Sequence, residues 1–226
     1  NGRTPYLFVL IISFITISGL VILQPDFGMT ILFFLTFFCQ LFIAGLSIYL
    51  VFFALFSIMV LCLSSYYFFD HVKKRVDSFF NSSADTYQID LSIQAFKSGG
   101  FFGKGPGQGV LKEKIPDANT DFIFAVAGEE LGLIFCFVIL IIILSIVVKT
   151  LILVLKINNP YKIIAISGLI CSFGLQSLIN ILSSLGMIPT KGMTLPFVSY
   201  GGSSMLATSI LFGFLLSLTN IKNNEE

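Results

Sequence analysis

Apolar residues run along this chain in long blocks rather than in alternation, and the blocks set the number of helices. A membrane span needs about 20 mostly apolar residues. Six stretches qualify, at roughly 6–23, 28–45, 47–69, 122–148, 162–185 and 198–219. None has the period-two alternation of a lipid-facing barrel strand. The pattern therefore predicts an all-α polytopic membrane protein, a single integral membrane domain over 1–226 with one large extramembrane loop at 70–120. With 56% hydrophobic and 11% charged residues and a mean hydropathy of +0.96, the chain is excluded from the soluble globular class.

The loop is uneven. Tyr87 to Ala95 (YQIDLSIQA) alternates apolar and polar residues, which by period suggests a strand, yet Ile89, Ile93 and Phe96 also share one helical face. A lone strand at a membrane surface would leave its backbone groups unpaired, so an interfacial or re-entrant amphipathic helix is expected. Ser98 to Gly109 (SGGFFGKGPGQG) holds six glycines and one proline, which should make a shaped turn region. Glycines interspersed with lysines can offer N–H groups to phosphate, although the spacing matches neither a P-loop nor a dinucleotide fingerprint.

Cys39, Cys62, Cys136 and Cys171 all fall inside predicted spans without close pairing, so they read as apolar packing residues rather than a disulfide framework or a zinc site. No cleavage-type motif follows the first span and the chain starts at Asn1. A fragment lacking its beginning is expected, not a signal peptide.

Charge gives two answers for orientation. With six spans both ends share a side, which holds Arg3, Lys149, Lys156, Lys162 and Lys222 against Lys191 in the short opposite loops. That favours cytoplasmic termini. The 70–120 loop then lies outside, carrying Lys73, Lys74, Arg75, Lys97, Lys104, Lys112 and Lys114 of the 13 basic residues. Either the orientation is reversed or these charges are kept for a reason, such as an anionic ligand at the outer membrane face.

Residues 116–132 (PDANTDFIFAVAGEELG) place Asp121, Glu129 and Glu130 at and just inside one end of the fourth predicted span. An ionised carboxylate near a helix centre costs about 2.5–3.5 kcal/mol on insertion scales, so such acids persist beside a partner or a water-filled cavity. Asn119 or Thr120 is a natural helix cap, with Asp121 in the first turn. Glu129 and Glu130 would lie about 12–14 Å deeper at the helical rise, where capping does not explain them; ion pairing or cavity lining does. Asp26 after Pro25 would cap the second span. Between Gly186 and Ser204, Pro189, Lys191, Pro196, Gly201 and Gly202 bend the chain as a helix-end connector.

QPDFG at 24–28, YQ…GG…GKGPG through 87–107, PDANTDFIFAVAGEELG at 116–132 and LGMIPTKGMTLPFVSYGGSS at 185–204 together resemble the SEDS family of shape, elongation, division and sporulation proteins, in its order and at its spacing. PTKGMTLP is more similar to the cell-division branch than to the elongation branch. Asn119 stands where the family commonly has a histidine, and an amide cannot titrate.

The resemblance implies a ten-span protein of which this chain is the last six. It also implies a peptidoglycan glycosyltransferase that polymerises lipid II, a disaccharide-pentapeptide on undecaprenyl pyrophosphate, with inversion. Asp121 corresponds to the family's catalytic aspartate, a general base whose contribution is typically about 10²–10⁴-fold. The pyrophosphate leaving group needs positive charge around it, for which Arg75, Lys97, Lys104, Lys112, Lys114 and Lys191 are candidates, with a divalent cation such as Mg or Mn able to share the task. Glu129, Glu130, Asn119, Thr120, Asp26, Ser199 and Gly201 are read as cavity-lining or structural. The implied partners are a class B penicillin-binding protein transpeptidase and divisome proteins, not nucleic acid. The implied location is the bacterial cytoplasmic (inner) membrane at the division septum. Two other functions stay open: a lipid II transporter using Glu129 or Glu130, and a scaffold that recruits the transpeptidase.

Overall fold

A computed structural model describes residues 4–23, 27–45, 86–188 and 192–220, with scattered positions between 47 and 77. Its bounded helices are α1 (Thr4–Leu23), α2 (Phe27–Ile43), α3 (Thr86–Gly99), α4 (Ile123–Glu130), α5 (Gly132–Val154), α6 (Pro160–Ser184) and α7 (Gly202–Thr219), with a 3-10 turn at Leu111–Glu113. No strand occurs among the described residues, and the chain is an all-α polytopic membrane protein. Helices α5, α6 and α7 are long and apolar enough to cross a membrane. Most of the third predicted span lies outside the described residues, as do Asp26, Cys62, Arg75 and Lys191.

The fourth predicted span is two helices, not one. The chain breaks at Leu131 and Gly132, where Gly132 has φ 83°, and a Cβ there would lie 2.4 Å from both Gly103 N and Phe101 O. A left-handed residue pressed against another backbone admits only glycine. The membrane-crossing part therefore begins at Gly132, after both glutamates. From there Ile134, Phe137, Ile141, Leu144 and Leu151 are exposed along α5, the apolar surface expected of a lipid-facing helix.

Helix α6 is the centre of the bundle, packing against α2, α5 and α7 and touching α3 and α4. It starts on Asn159, whose side chain accepts from Tyr161 N at 3.0 Å and Lys162 N at 3.4 Å, with Pro160 following. Such a start satisfies otherwise orphaned donors, and proline at the first helical position has no N–H to satisfy. Ile170 and Phe173 of α6 pack with Leu215 of α7 in one core cluster, joined by Ile143 and Val147 of α5.

The 87–95 segment is helical, as backbone satisfaction requires. Leu91 and Ala95 of α3 pack with Ala125 and Val126 of α4 and with Ile115, Ala118 and Phe122. Cys39, Cys136 and Cys171 are free thiols, and Cys39 Sγ and Cys171 Sγ lie 2.9 Å apart as a thiol–thiol contact between α2 and α6. Helix packing brings together two positions that the sequence keeps far apart. Cys136 is buried beside the carbonyl of Phe124 at 3.8 Å.

Candidate active site

Asp121 sits just ahead of α4, not in its first turn. The helix N-cap is Phe122 and no side chain caps it, so the expected capping by Asn119 or Thr120 does not occur. What shapes the segment is Asp117, at φ 55°, a left-handed conformation that a short polar residue tolerates. Its carbonyl accepts from Thr120 N at 3.1 Å and Asp121 N at 3.0 Å, and from Thr120 Oγ1 at 3.0 Å. The chain turns tightly and presents its next carbonyls to the bundle.

Three consecutive carbonyls then take donors from other elements. Asn119 O accepts from Tyr200 N at 2.9 Å, Thr120 O from Ser199 Oγ, and Asp121 O from Asn180 Nδ2 at 2.8 Å. Ser199 Oγ in turn accepts from Leu195 N at 2.7 Å. Asn180 Nδ2 also donates to Met193 O at 2.6 Å, and one turn earlier Gln176 Nε2 donates to Thr194 O at 3.1 Å. Thr194 Oγ1 lies 2.7 Å from Ser204 Oγ in α7. The end of α6, the 192–200 segment and the start of α7 are thus sewn to the residues around Asp121. Gly201 marks the end of that segment, with its carbonyl receiving Met205 N at 2.9 Å.

A small pocket opens here, lined by Asp121, Asn180, Ser183 and Gly192 with apolar walls from Phe122, Ile179 and Met193. Gly192 has φ 62°, and a Cβ on it would lie 3.6 Å from Asp121 Oδ2. Gln176, Asn180, Thr194 and Ser204 were not foreseen. Their signal was present, because Gln176 and Asn180 are two amides four residues apart in an otherwise apolar span, where intramembrane polar groups mark packing or function.

The glutamates are ion-paired, one of the two roles expected for them. Glu129 Oε1 pairs with Lys104 Nζ at 2.8 Å and Glu130 Oε1 with Lys112 Nζ at 2.6 Å. Glu129 also receives Val110 N at 3.1 Å and Leu111 N at 3.1 Å, and Glu130 receives Gly107 N at 2.9 Å. The Gly107 N–H of the glycine-rich loop, and those of Val110 and Leu111 just after it, thus face the chain's own carboxylates. Burial opposes ionisation of Glu129, but Lys104 and the N–H groups of Leu111 and Val110 outweigh it and hold the carboxyl below its ordinary value. Glu130 is likewise lowered, burial being outweighed by Lys112 and Gly107 N–H. On Lys112 the bond to Glu130 acts first and pushes the ammonium up.

Of the candidate cations, Lys104 and Lys112 are therefore held by glutamates, while Lys97 and Lys114 are exposed. Among the described residues no three His, Cys, Asp or Glu side chains come together as a metal site. Among the described residues, Asp121 is the carboxylate that lines its pocket.

These features match known proteins. The model of the FtsW, RodA and SpoVE family, described as cell cycle proteins, matches residues 1–224. The chain is 45% identical over 210 residues to a protein of Caulobacter vibrioides named probable peptidoglycan glycosyltransferase FtsW, covering 92% of this chain and 53% of that one. It is 38% identical over 224 residues to the protein of the same name in Buchnera aphidicola subsp. Acyrthosiphon pisum, with 93% and 56% covered. A solved chain reported for structural coordination of polymerization and crosslinking by a peptidoglycan synthase complex superposes with a TM-score of 0.75 at 25% identity, over 91% of this chain and 59% of that one. The chain thus spans about half the length of the curated relatives it matches, and it belongs to the FtsW/RodA/SpoVE family of cell cycle proteins.

Proposed function

We propose that the full protein is a peptidoglycan glycosyltransferase of the cell-division type, polymerising lipid II at the outer face of the bacterial cytoplasmic membrane during septal wall synthesis. The observation that carries this is Asp121, held at a pocket by three main-chain anchors in a chain whose relatives bear that activity in their names. The acceptor sugar hydroxyl loses its proton to the Asp121 carboxylate as its oxygen attacks the anomeric carbon. The bond from that carbon to the pyrophosphate oxygen breaks on the opposite face, and undecaprenyl pyrophosphate leaves with the electron pair. Exposed Lys97 and Lys114 are candidates to meet the diphosphate, and the other two candidates, Arg75 and Lys191, lie outside the described residues. On this reading the 86–120 region lies outside and the termini of the chain lie in the cytoplasm. The likeness to a peptidoglycan synthase complex supports a class B penicillin-binding protein as the crosslinking partner.

A transport path lined by Glu129 or Glu130 has no support, since Glu129 is wholly buried beneath the glycine-rich loop and both carboxylates are engaged. The test is polymerisation of purified lipid II by the full-length protein. Asp121→Ala should cut glycan synthesis by about 10²–10⁴-fold, the usual contribution of a general base. Unchanged polymerisation would sink the assignment.

A further inference from the structure

We propose that Asn180 is a positioning residue for Asp121, fixing the aspartate through its main-chain carbonyl and tying it to the pocket wall at Met193. This rests on the reading of Asp121 as the base. Asn180 is 1% exposed, and both N–H groups of its amide are used, one on Asp121 O at 2.8 Å and one on Met193 O at 2.6 Å. That pair of acceptors fixes which way the amide points, because a flipped side chain would set Oδ1 against two carbonyl oxygens.

The arrangement is costly enough to need a reason. Oδ1 is buried with no hydrogen-bond partner among the described residues, and a buried unsatisfied acceptor in a native structure calls for an explanation. An apolar residue at this place in an apolar helix would avoid that cost. The gain is a bridge between the residue that carries the carboxylate and the segment facing it, since a Cβ on Gly192, next to Met193, would sit 3.6 Å from Asp121 Oδ2. One side chain on a rigid helix thereby sets the separation of the two walls. Catalytic groups need such support, because displacements of about 1 Å cost on the order of 10²-fold.

The experiment uses the full-length protein in lipid nanodiscs, comparing Asn180→Leu with wild type and with Ile141→Ala on the exposed face of α5. Hydrogen–deuterium exchange in the peptide spanning 117–122 should rise about five- to tenfold in Asn180→Leu, the factor for one lost hydrogen bond, and stay at the wild-type rate in Ile141→Ala. Lipid II polymerisation should lose kcat by about 10²-fold while KM is nearly unchanged. Where Asn180→Leu does not fold, isosteric Asn180→Asp, which removes both N–H groups, carries the same two readouts. Unchanged exchange would overturn the proposal and leave the role of Asp121 untouched. Faster exchange with an unchanged kcat, in a protein that Asp121→Ala inactivates, would also overturn it. An Asp121→Ala protein that still polymerises identifies the failure as that of the base, not of its support.

Discussion

Lys104 Nζ lies 2.8 Å from Glu129 Oε1, and the carboxylate is wholly buried while the lysine side chain keeps about a third of its surface in solvent, at 34%. The pair joins the glycine-rich loop to the last turn of α4, immediately before the break at Gly132. Its partners Val110 N and Leu111 N complete the enclosure. Glu129→Ala leaves those donors without an acceptor and should lower stability by about 2–3 kcal/mol, less than a fully buried pair because Lys104 reaches water. Glu129→Gln keeps the shape and one acceptor and should lose less. Thermal unfolding in detergent, with Lys104→Met closing a double-mutant cycle, checks the coupling; additive losses would mean that the two side chains do not interact.

Acid should release the same loop. Glu129 and Glu130 are both held below the ordinary value of 4.5 in the folded protein. A carboxyl with a lowered folded value adds stability that is fully present above its unfolded value and is lost as pH falls through the folded one. Stability should therefore be level above pH 4.5 and decline below it. Combining Glu129→Gln with Glu130→Gln should flatten that decline in a series of unfolding curves against pH. An unaltered acid limb would place its origin in other carboxylates.

Close approach of α3 to α4 depends on Gly128, where a Cβ would lie 2.3 Å from Cδ1 of the Phe96 ring. Gly128→Ala should destabilise by about 1–3 kcal/mol, the range for overpacking a filled site. The clash is with a side chain, so Phe96→Ala in the same molecule should return part of the loss. Absence of any such recovery in the double variant would locate the strain in the backbone instead.

Apolar block length was enough to place α1, α2, α6 and α7, because a bilayer imposes a length that hydropathy reports directly. The break at Gly132 was hidden, since hydropathy is blind to the sign of φ and the apolar residues on either side run on without a gap. Glu129 and Glu130 were visible as acids that needed partners. That Lys104 and Lys112 would be those partners was not, because the path of the loop is set by left-handed glycines such as Gly103 and Gly107. The SEDS-like motifs singled out Asp121, yet a motif names a residue without naming its supports. Asn180 escaped because a window that averages α6 as one apolar block dilutes two amides. Contact between Cys39 and Cys171 follows from how α2 lies on α6, a packing relation no local pattern contains.

Ser199 anchors the carbonyl of Thr120, the residue before Asp121. Its hydroxyl accepts from Leu195 N and donates to Thr120 O, and it is 8% exposed, so no water replaces it when it is removed. Ser199→Ala leaves an N–H and a carbonyl unpaired in the interior, which should cost about 1–3 kcal/mol of stability. Because Thr120 precedes Asp121, lipid II polymerisation should fall as well, with KM affected less than kcat. Ser199→Cys, whose thiol bonds weakly but fills the same space, should lie between alanine and wild type. A wild-type turnover rate for Ser199→Ala, measured at a temperature where the variant remains folded, would show that the carbonyl anchors stabilise this end of the bundle without setting the position of the carboxylate.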